Sequence, residues 1–461
     1  MQWVVEAYGL FLSALILAGG SLGDLFGRRV VFVAGIAIFA LASAACGLSA
    51  NITQLIAARS VQGVGAALLV PGSLAIISAS FDQKHRGQAI GTWSGATAMT
   101  TAAGPVLGGW LVEHASWRWA FFINLPIAAA VIVISLWHVP ESRGRTTGRV
   151  DWLGAMLVTA GLGGVVYGFI ESTTHGWRDP FVAGSLLLGA ASLALFLMIE
   201  RKETSPMLPL ALFASRNFAG ANLMTLFLYA AIGVFFFLFP LNLIQVQHYS
   251  ATAAGAAMLP MILLVFLLSR WSGGLVTRYG ARRPLIIGPL IVSAGFALFA
   301  VPGVNTYYWT SFFPAVIALG LGLAVTVAPL TTVVMNSVDA DHVGTASGIN
   351  NAVSRVAGVL AIAILGIVMV SAFGARLNAS LSELSLPAEV HNEIHANQTK
   401  LAGLPVPADL DTMTGNVIRE SVREAFVFGF RVVLSICVGL SLASAAVTAR
   451  MIRAVPRSTS R

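Results

Sequence analysis

The chain has 461 residues, of which 57% are hydrophobic and 10% are charged, and its mean hydropathy is +0.83. A soluble domain carries about 25% charged residues, so this composition excludes a water-soluble globule as well as disordered, fibrous and nucleic-acid-binding chains. No Gly-Lys dipeptide occurs, which excludes a Walker A loop for ATP phosphates. The net charge of +8 therefore needs an explanation other than nucleic acid.

About 13 stretches are long and apolar enough to cross a bilayer as helices, because a span needs roughly 20 mostly apolar residues. They lie near residues 3–20, 30–48, 52–80, 87–112, 119–139, 150–170, 180–199, 217–244, 252–276, 284–302, 308–336, 343–373 and 425–450. The sequence therefore predicts an all-α integral membrane protein.

Lys and Arg are unevenly distributed between alternate loops. One set of loops, together with the C-terminus, carries 17 of the 27 basic residues, whereas the other set carries 6, four of them in segment 374–424. Because basic residues concentrate in cytoplasmic loops, the C-terminus is predicted to be cytoplasmic and segment 374–424 external. A multi-pass protein of the cell membrane explains the positive charge, which also attracts anionic lipid.

Two segments of the chain resemble each other at an offset of 253 residues. GSLGDLFGRR at 20–29 and GGLVTRYGAR at 273–282 share Gly, Leu and Arg at matching positions, and RGQAIG at 86–91 matches VGTASG at 343–348 more weakly, at an offset of 257. Two related halves are typical of secondary transporters with a site near the midplane. The predicted units are an N-terminal bundle at 1–140, two linker helices at 141–205 and a C-terminal bundle at 206–461.

Glu6 is the one acidic residue that lies inside an apolar segment, since the other 18 lie in loops or at span ends. Desolvation disfavours a carboxylate, so such a group can bind and release a proton. The alternative is a position at the external interface. Arg59 lies one or two turns into a later span, and Glu6 is its predicted partner; a snorkelling structural Arg is the alternative.

Further polar residues are candidates for the wall of a cavity. Gln62 lies one turn from Arg59 and shares its helix face. Asn350, Asn351 and Arg355 lie on one helix, where cavity lining and hydrogen bonds between helices are both compatible with the pattern. The weaker candidates are Tyr8, Trp93, Asn242 and Gln245.

Two glycine-containing motifs are candidates for moving parts. Asp24, Arg28 and Arg29 lie in a turn between spans, where an ion pair can latch one conformer; an ordinary basic loop is the alternative. The stretch GPVLGG, with Gly104, Pro105, Gly108 and Gly109, favours a kinked helix whose backbone closely approaches a neighbour.

Two matches to enzyme motifs are weak. GGSLG at 19–23 fits G-x-S-x-G but lies at the end of a span, without the strand–turn–helix context of that motif. HNEIH at 391–395 is not H-E-x-x-H and favours a solvated helix face over a metal site. No nucleophile–base pair occurs at membrane depth, so no enzymatic activity, metal or cofactor is predicted.

Several motifs together resemble the major facilitator superfamily, and within it the fourteen-helix drug:proton antiporters. They are Gly20–Arg29, the Arg59, Gln62 and Gly63 set, the Gly104–Gly109 set with Thr100 in place of its usual first Gly, WRWAFFINLP at 117–126, PES at 140–142, DWLG at 151–154 and FPLNLIQ at 239–245. The family's first helix has no counterpart here, so the chain is expected to begin at the second.

This resemblance implies a two-bundle transporter with two extra central helices. Its expected function is export of hydrophobic or cationic drugs by alternating access, with the proton gradient as energy source. A metabolite exporter or facilitator of the same fold and a truncated paralogue that transports nothing are the alternatives. The expected partners are a small-molecule substrate and the lipid bilayer, without nucleic acid; accessory export proteins are not readable from the sequence.

Overall fold

Long apolar helices make up most of the chain, which confirms the predicted helical membrane protein. The computed structural model describes residues 2–80, 100, 103–104, 106–143, 151–203, 206, 208–338, 343–382, 386–406 and 411–453, and no strand occurs among them. Within these ranges, 12 helical segments are long and apolar enough to cross a membrane. They match twelve of the predicted spans, and the thirteenth, near 87–112, lies mostly outside the described residues.

The helices fall into three consecutive groups along the chain. The first group contains α1 (Gln2–Phe26), α2 (Arg28–Leu48), α3 (Ile52–Ser80), α4 (Trp119–Phe122) and α5 (Asn124–His138), with a further helical stretch at 106–114. The second contains α6 (Trp152–His175) and α7 (Pro180–Glu200). The third contains α8 (Arg216–Leu241), α9 (Ala251–Ala256), α10 (Leu259–Tyr279), α11 (Arg282–Phe299), α12 (Tyr308–Ser311), α13 (Phe313–Asn336), α14 (Val343–Leu381), α15 (Ala388–Ala396) and α16 (Thr412–Met451).

Acceptor side chains begin several of these helices. Asp151 accepts from the Gly154 amide at the start of α6, and Asp179 accepts from two amides at the start of α7. These caps satisfy amides that have no partner within the helix.

The bundle has two ends, which we call the basic side, with residues 26–29, and the loop side, with residues 374–424.

The internal repeat is visible in the turns at the basic side. Gly27 and Gly280 occupy matching positions, and both have positive φ, at 114° and 76°. Glycine adopts this conformation readily because it has no Cβ. Each of these residues therefore makes the tight turn between two long helices of its own half.

Equivalent arginines follow these two glycines. Arg29 donates from Nη1 to the carbonyl of Val139, just after α5, at 3.0 Å. The matching Arg282 donates from Nη2 to the carbonyl of Ala449, near the end of α16. In both halves, the arginine after the turn thus ties the turn to the last helix of that half.

Matching glycine pairs bring two helices of each half into backbone contact. A Cβ added to Gly65 would lie 2.9 Å from the Gly35 carbonyl oxygen, and one added to Gly322 would lie 2.9 Å from the Gly288 carbonyl oxygen. These positions are related by the offsets of 253 and 257 residues found in the sequence. The packing of α2 on α3 therefore recurs as that of α11 on α13.

The two halves meet along α1 and α14, with α6 packed against both. A Cβ on Gly9 would lie 2.9 Å from the Val359 side chain, so α1 and α14 are close at this level. We call this three-helix junction the seam. Its buried apolar residues are Leu10, Ala14, Leu162, Val166, Ile170, Val359 and Ala363.

Segment 374–424 packs on the second half. Leu401 and Leu404 belong to the large apolar core of that half, and Gln398 donates to Asn378 at 2.7 Å. His391 and His395 are exposed on α15, and the described residues contain no group of three or more His, Cys, Asp or Glu side chains that could hold a metal ion. The division of the chain into units at 1–140, 141–205 and 206–461 stays a prediction.

Candidate functional site

Arg59 of α3 lies against the loop-side half of α1. Its Nε donates to the carbonyl of Val4 at 2.9 Å, and its guanidinium carbon lies 4.3 Å from the centre of the Tyr8 ring. The ring of Phe121 lies 5.9 Å away on another side. An arginine stacked on aromatic rings is stabilised by cation–π attraction while its remaining N–H groups stay available.

A chain of buried polar groups fixes the position of Arg59. Its Nη1 donates to Gln62 Oε1 at 2.6 Å, and Gln62 Nε2 donates to Ser43 Oγ at 2.6 Å. Asn124 donates to the same Ser43 oxygen at 3.3 Å. The predicted common face of Arg59 and Gln62 is confirmed by this bond, whereas Gln62 is 1% exposed here and its place on a cavity wall stays a prediction.

Arg355 of α14 reaches the same region from the second half. It interacts electrostatically with Tyr8 of α1 and Tyr229 of α8, and its Nε is buried without a hydrogen-bond partner among the described residues. Arg355 lies 12 residues from the start of α14, about 18 Å along the helix. We call Tyr8, Arg59, Tyr229 and Arg355 the arginine cluster.

The arginine cluster borders a space between the two halves. All four side chains are partly exposed, although each lies well inside a long helix. Two of them belong to the first half and two to the second. A group bound at the cluster can therefore contact both halves at once, as expected of a transporter site near the midplane.

Glu6 does not contribute to this cluster. It lies on the face of α1 that also carries Trp3 and Leu10, because residues three and four apart share a helix face. Leu10 packs in the seam, whereas Tyr8, two residues from Glu6, points to Arg59. The predicted pairing of Glu6 with Arg59 is therefore wrong, since Arg59 of α3 packs against the face of α1 that carries Tyr8, opposite the face that carries Glu6.

The carboxyl group of Glu6 is deeply buried in the structure. Its exposed fraction is 1%, whereas a side chain at the external interface would be solvated. Neither carboxyl oxygen accepts a hydrogen bond from any residue within the described ranges. Glu6 is thus a titratable group enclosed at the seam between the two halves, without a compensating donor.

The other predicted lining residues have different roles. Asn350 donates to Asn222 at 3.2 Å and to Thr225 at 2.8 Å, which is the helix-to-helix bonding given as its alternative. Asn351 is exposed and donates to the Ser347 carbonyl of its own helix.

Asn242 and Gln245 lie at the loop-side end of α8, where a π-helical turn continues the helix. Asn242 is 2% exposed, so it is a buried residue of the second half here, and its lining role stays a prediction. Gln245 lies beside Gly403 of the long loop, with its Oε1 buried. Trp93 and Pro105 lie outside the described residues.

The predicted latch residues bind neighbours in the first half. Asp24 pairs with Arg28 at 2.9 Å, and the Arg28 amide donates to the Ser142 carbonyl at 2.9 Å. Glu141 accepts from the Arg29 amide at 3.0 Å, and its carboxylate lies at the N-terminus of α2, where negative charge is favourable. Whether these contacts change during transport stays a prediction.

The predicted antiporter-motif helix approaches the second half at one glycine. A Cβ on Gly109 would overlap the backbone at Ala251, the first residue of α9, whereas Gly104 and Gly108 have no such neighbour among the described residues. One turn further, Glu113 accepts from the Thr252 hydroxyl at 2.6 Å and from its amide at 3.3 Å. These contacts join the two halves at the loop side.

The family of the chain follows from its sequence relatives. The model of the Major Facilitator Superfamily matches residues 1–362. The chain belongs to the Major Facilitator Superfamily. It is 32% identical to a tetracenomycin C resistance and export protein of Streptomyces glaucescens, over 97% of this chain and 84% of that protein. It is 35% identical to a puromycin resistance protein of Streptomyces alboniger, over 82% of this chain and 75% of that one.

Solved structures of the superfamily have the same fold. A bacterial homologue of the human lysosomal transporter Spinster aligns over 99% of this chain and 98% of its own, with a TM-score of 0.61 and 15% identity. A POT family transporter aligns over 98% of this chain and 88% of its own, with a TM-score of 0.64 and 9% identity. The chain is therefore a multi-pass membrane transporter of this fold. The fourteen-helix subdivision and the missing first helix stay predictions.

Several residues of the site were not predicted from the sequence. They are Ser43, Glu113, Phe121, Asn124 and Tyr229. Glu113 lies just after the span predicted at 87–112 and Asn124 near the start of the one predicted at 119–139, where polar residues are ordinary. Ser43, Phe121 and Tyr229 are inexpensive to bury, so nothing in the sequence separates them from other serines and aromatic residues in spans.

Proposed function

We propose that the chain exports small organic molecules from the cell by alternating access, driven by an inward flow of protons. In this proposal it lies in the cell membrane with the basic side and the C-terminus in the cytoplasm. Several of its relatives are resistance proteins, and the tetracenomycin C protein is also named for export. The arginine cluster between the halves supports a substrate site there.

The observation that carries the proton coupling is the position of Glu6. A buried carboxylate without donors costs far more free energy than a buried neutral acid. The protonated form of Glu6 therefore suits a closed seam, and the carboxylate suits a seam opened to water. Separation of α1 from α14 at the loop side would expose Glu6 to the external solution, and closure would trap the proton that it has taken up.

The contacts at the loop side support two access states. Gly109 and Glu113 meet Ala251 and Thr252, so the halves are joined there. Outward opening has to separate these contacts together with the seam. The population of the two states would then depend on the protonation of Glu6 and on bound substrate.

The test uses proteoliposomes that contain the full chain and an imposed pH gradient. Transport of fluorescein and rhodamine 123 is followed with and without the gradient, for the wild type, Glu6→Gln and the control Glu393→Gln. Glu393 is an exposed carboxylate of α15. We expect the gradient to drive dye movement in the wild type and the control but not in Glu6→Gln.

Two results would count against this proposal. Gradient-dependent transport that is unchanged in Glu6→Gln removes Glu6 from the coupling. A wild-type protein that moves neither dye in response to the gradient contradicts proton-driven export itself. Equal reconstitution of all variants, judged by protein per liposome, keeps these results separate from poor insertion.

A further inference from the structure

The arginine cluster has an unbalanced positive charge. Within the part of the chain that the structure describes, neither Arg59 nor Arg355 forms a salt bridge. Glu6 lies on the face of α1 opposite Tyr8 and Arg59. Among the described residues, these two largely buried guanidinium groups therefore have no carboxylate partner, and burial of an unpaired charge is costly unless another anion compensates it.

Both arginines also have unused hydrogen-bond donors. A guanidinium has five N–H groups, and Arg59 uses its Nε and one Nη1 donor on Val4 and Gln62. Arg355 forms no hydrogen bond with the described residues, and its Nε is buried. A buried donor without a partner is rare in folded proteins, so its presence points to a missing ligand.

Neither a snorkelling position nor stacking accounts for these donors. Arg355 lies about 18 Å from the basic-side end of its helix, which is beyond the reach of its side chain. Stacking on Tyr8 stabilises the face of the Arg59 guanidinium but uses none of its N–H groups. The network through Gln62 and Ser43 holds Arg59 in place, so its remaining donors are oriented before a ligand arrives.

The surroundings indicate what kind of anion fits. The rings of Tyr8 and Phe121 lie over Arg59, and Tyr8 and Tyr229 interact electrostatically with Arg355. Aromatic rings favour a flat apolar ligand, and guanidinium groups pair with carboxylates in a bidentate manner.

We propose that the arginine cluster binds the anionic group of an aromatic organic acid, between Arg59 of the first half and Arg355 of the second. The identification of this ligand as the exported substrate rests on the proposed function, whereas binding does not require transport. The substrate class then differs from the cationic compounds implied by the family resemblance. Because the ligand joins the two halves, it would be held most tightly when both arginines face the same space.

The test measures binding to the full chain in nanodiscs of phosphatidylcholine by fluorescence anisotropy. Fluorescein and rhodamine 123 share a xanthene scaffold and differ in charge, so they form a matched pair of probes. We expect saturable binding of fluorescein that is about tenfold tighter than that of rhodamine 123, because charge-assisted bonds to arginine favour only the anion.

Variants assign this binding to the cluster. Arg355→Gln is expected to weaken fluorescein binding about tenfold, and Arg355→Lys less, because the charge is retained. The matched control is Arg376→Gln, which removes an exposed arginine from the same helix. Unchanged elution profiles and melting temperatures show that the variants are folded.

Three outcomes would overturn the proposal. They are an absence of saturable fluorescein binding, equal or tighter binding of rhodamine 123, and an Arg355→Gln protein that binds fluorescein like the wild type. Displacement of fluorescein when phosphatidylglycerol is added to the nanodiscs would assign the cluster to a lipid headgroup instead of a soluble acid. Failure of gradient-driven transport with intact fluorescein binding would count against the proposed function alone.

Discussion

Replacement of Gly65 by Ala is expected to destabilise the first half of the transporter. A Cβ at this position would lie 2.6 Å from the Phe39 amide nitrogen and 2.9 Å from the Gly35 carbonyl oxygen, well inside the 3.4 Å at which ordinary contact begins. Both atoms are backbone, so no side-chain rotation relieves the overlap and α2 has to move away from α3. Such overpacking costs about 3 kcal/mol at the upper end of its range.

Part of this cost is offset within the helix. Ala is favoured over Gly in a helix interior by about 1 kcal/mol, which leaves a net destabilisation of about 2 kcal/mol. The control is Gly439→Ala in α16, where an added Cβ meets nothing within 4 Å and the residue is exposed. This control is expected to be stabilised, so the two substitutions have opposite signs.

Thermal unfolding of the full chain in detergent micelles, followed by far-UV ellipticity, measures both effects. The repeat extends the reasoning to the second half, because a Cβ on Gly322 would lie 2.6 Å from the Val292 amide nitrogen. Gly322→Ala should therefore lower the melting temperature like Gly65→Ala. Equal melting temperatures for Gly65→Ala and Gly439→Ala would refute backbone contact between α2 and α3.

Two further predictions concern polar contacts between helices. Asn350→Ala should destabilise the protein by roughly 1 kcal/mol, because it removes two bonds to α8 and such bonds contribute about 0.6 kcal/mol each in membranes; Asn351→Ala, whose bond lies within its own helix, should melt like the wild type. Hydrogen bonds from Thr252 lower the pKa of Glu113 below its ordinary value of 4.5, so this loop-side contact is fully formed above that value and is lost as the pH falls through the lowered pKa. Spin labels on the 106–114 helix and on α9 should therefore move apart on acidification, and Glu113→Gln should show no such pH dependence.

The membrane spans could be predicted because burial in lipid requires long apolar helices. The start of the last span could not. The last span was predicted at 425–450, whereas α16 begins at Thr412, where Asp411 caps it. Its first residues, 412–424, belong to segment 374–424 and are polar enough to lie outside a membrane, so hydropathy does not identify them as part of the same helix.

The arginines of the site could be predicted because a charge inside an apolar segment is conspicuous. Their partners could not be predicted in the same way. The bond between Arg59 and Gln62 follows from a spacing of three residues on one helix. The relation of Glu6 to Arg59 depends on which face of α1 meets α3 and which meets α14. The orientation of α1 is determined by packing between helices that are far apart in the sequence.

The residues proposed for substrate binding and for proton coupling lie on opposite faces of α1. Tyr8 belongs to the arginine cluster, and Glu6, two residues earlier on α1, belongs to the seam. Coupling between proton and substrate then needs no direct contact between the two groups, because any tilt of α1 away from α14 changes the surroundings of both. A bound acid that draws Arg59 and Arg355 together would hold the halves in contact, whereas a carboxylate at Glu6 would favour their separation. In this proposal the two ligands would act on the same equilibrium between access states, and α1 is the element through which each would influence the other.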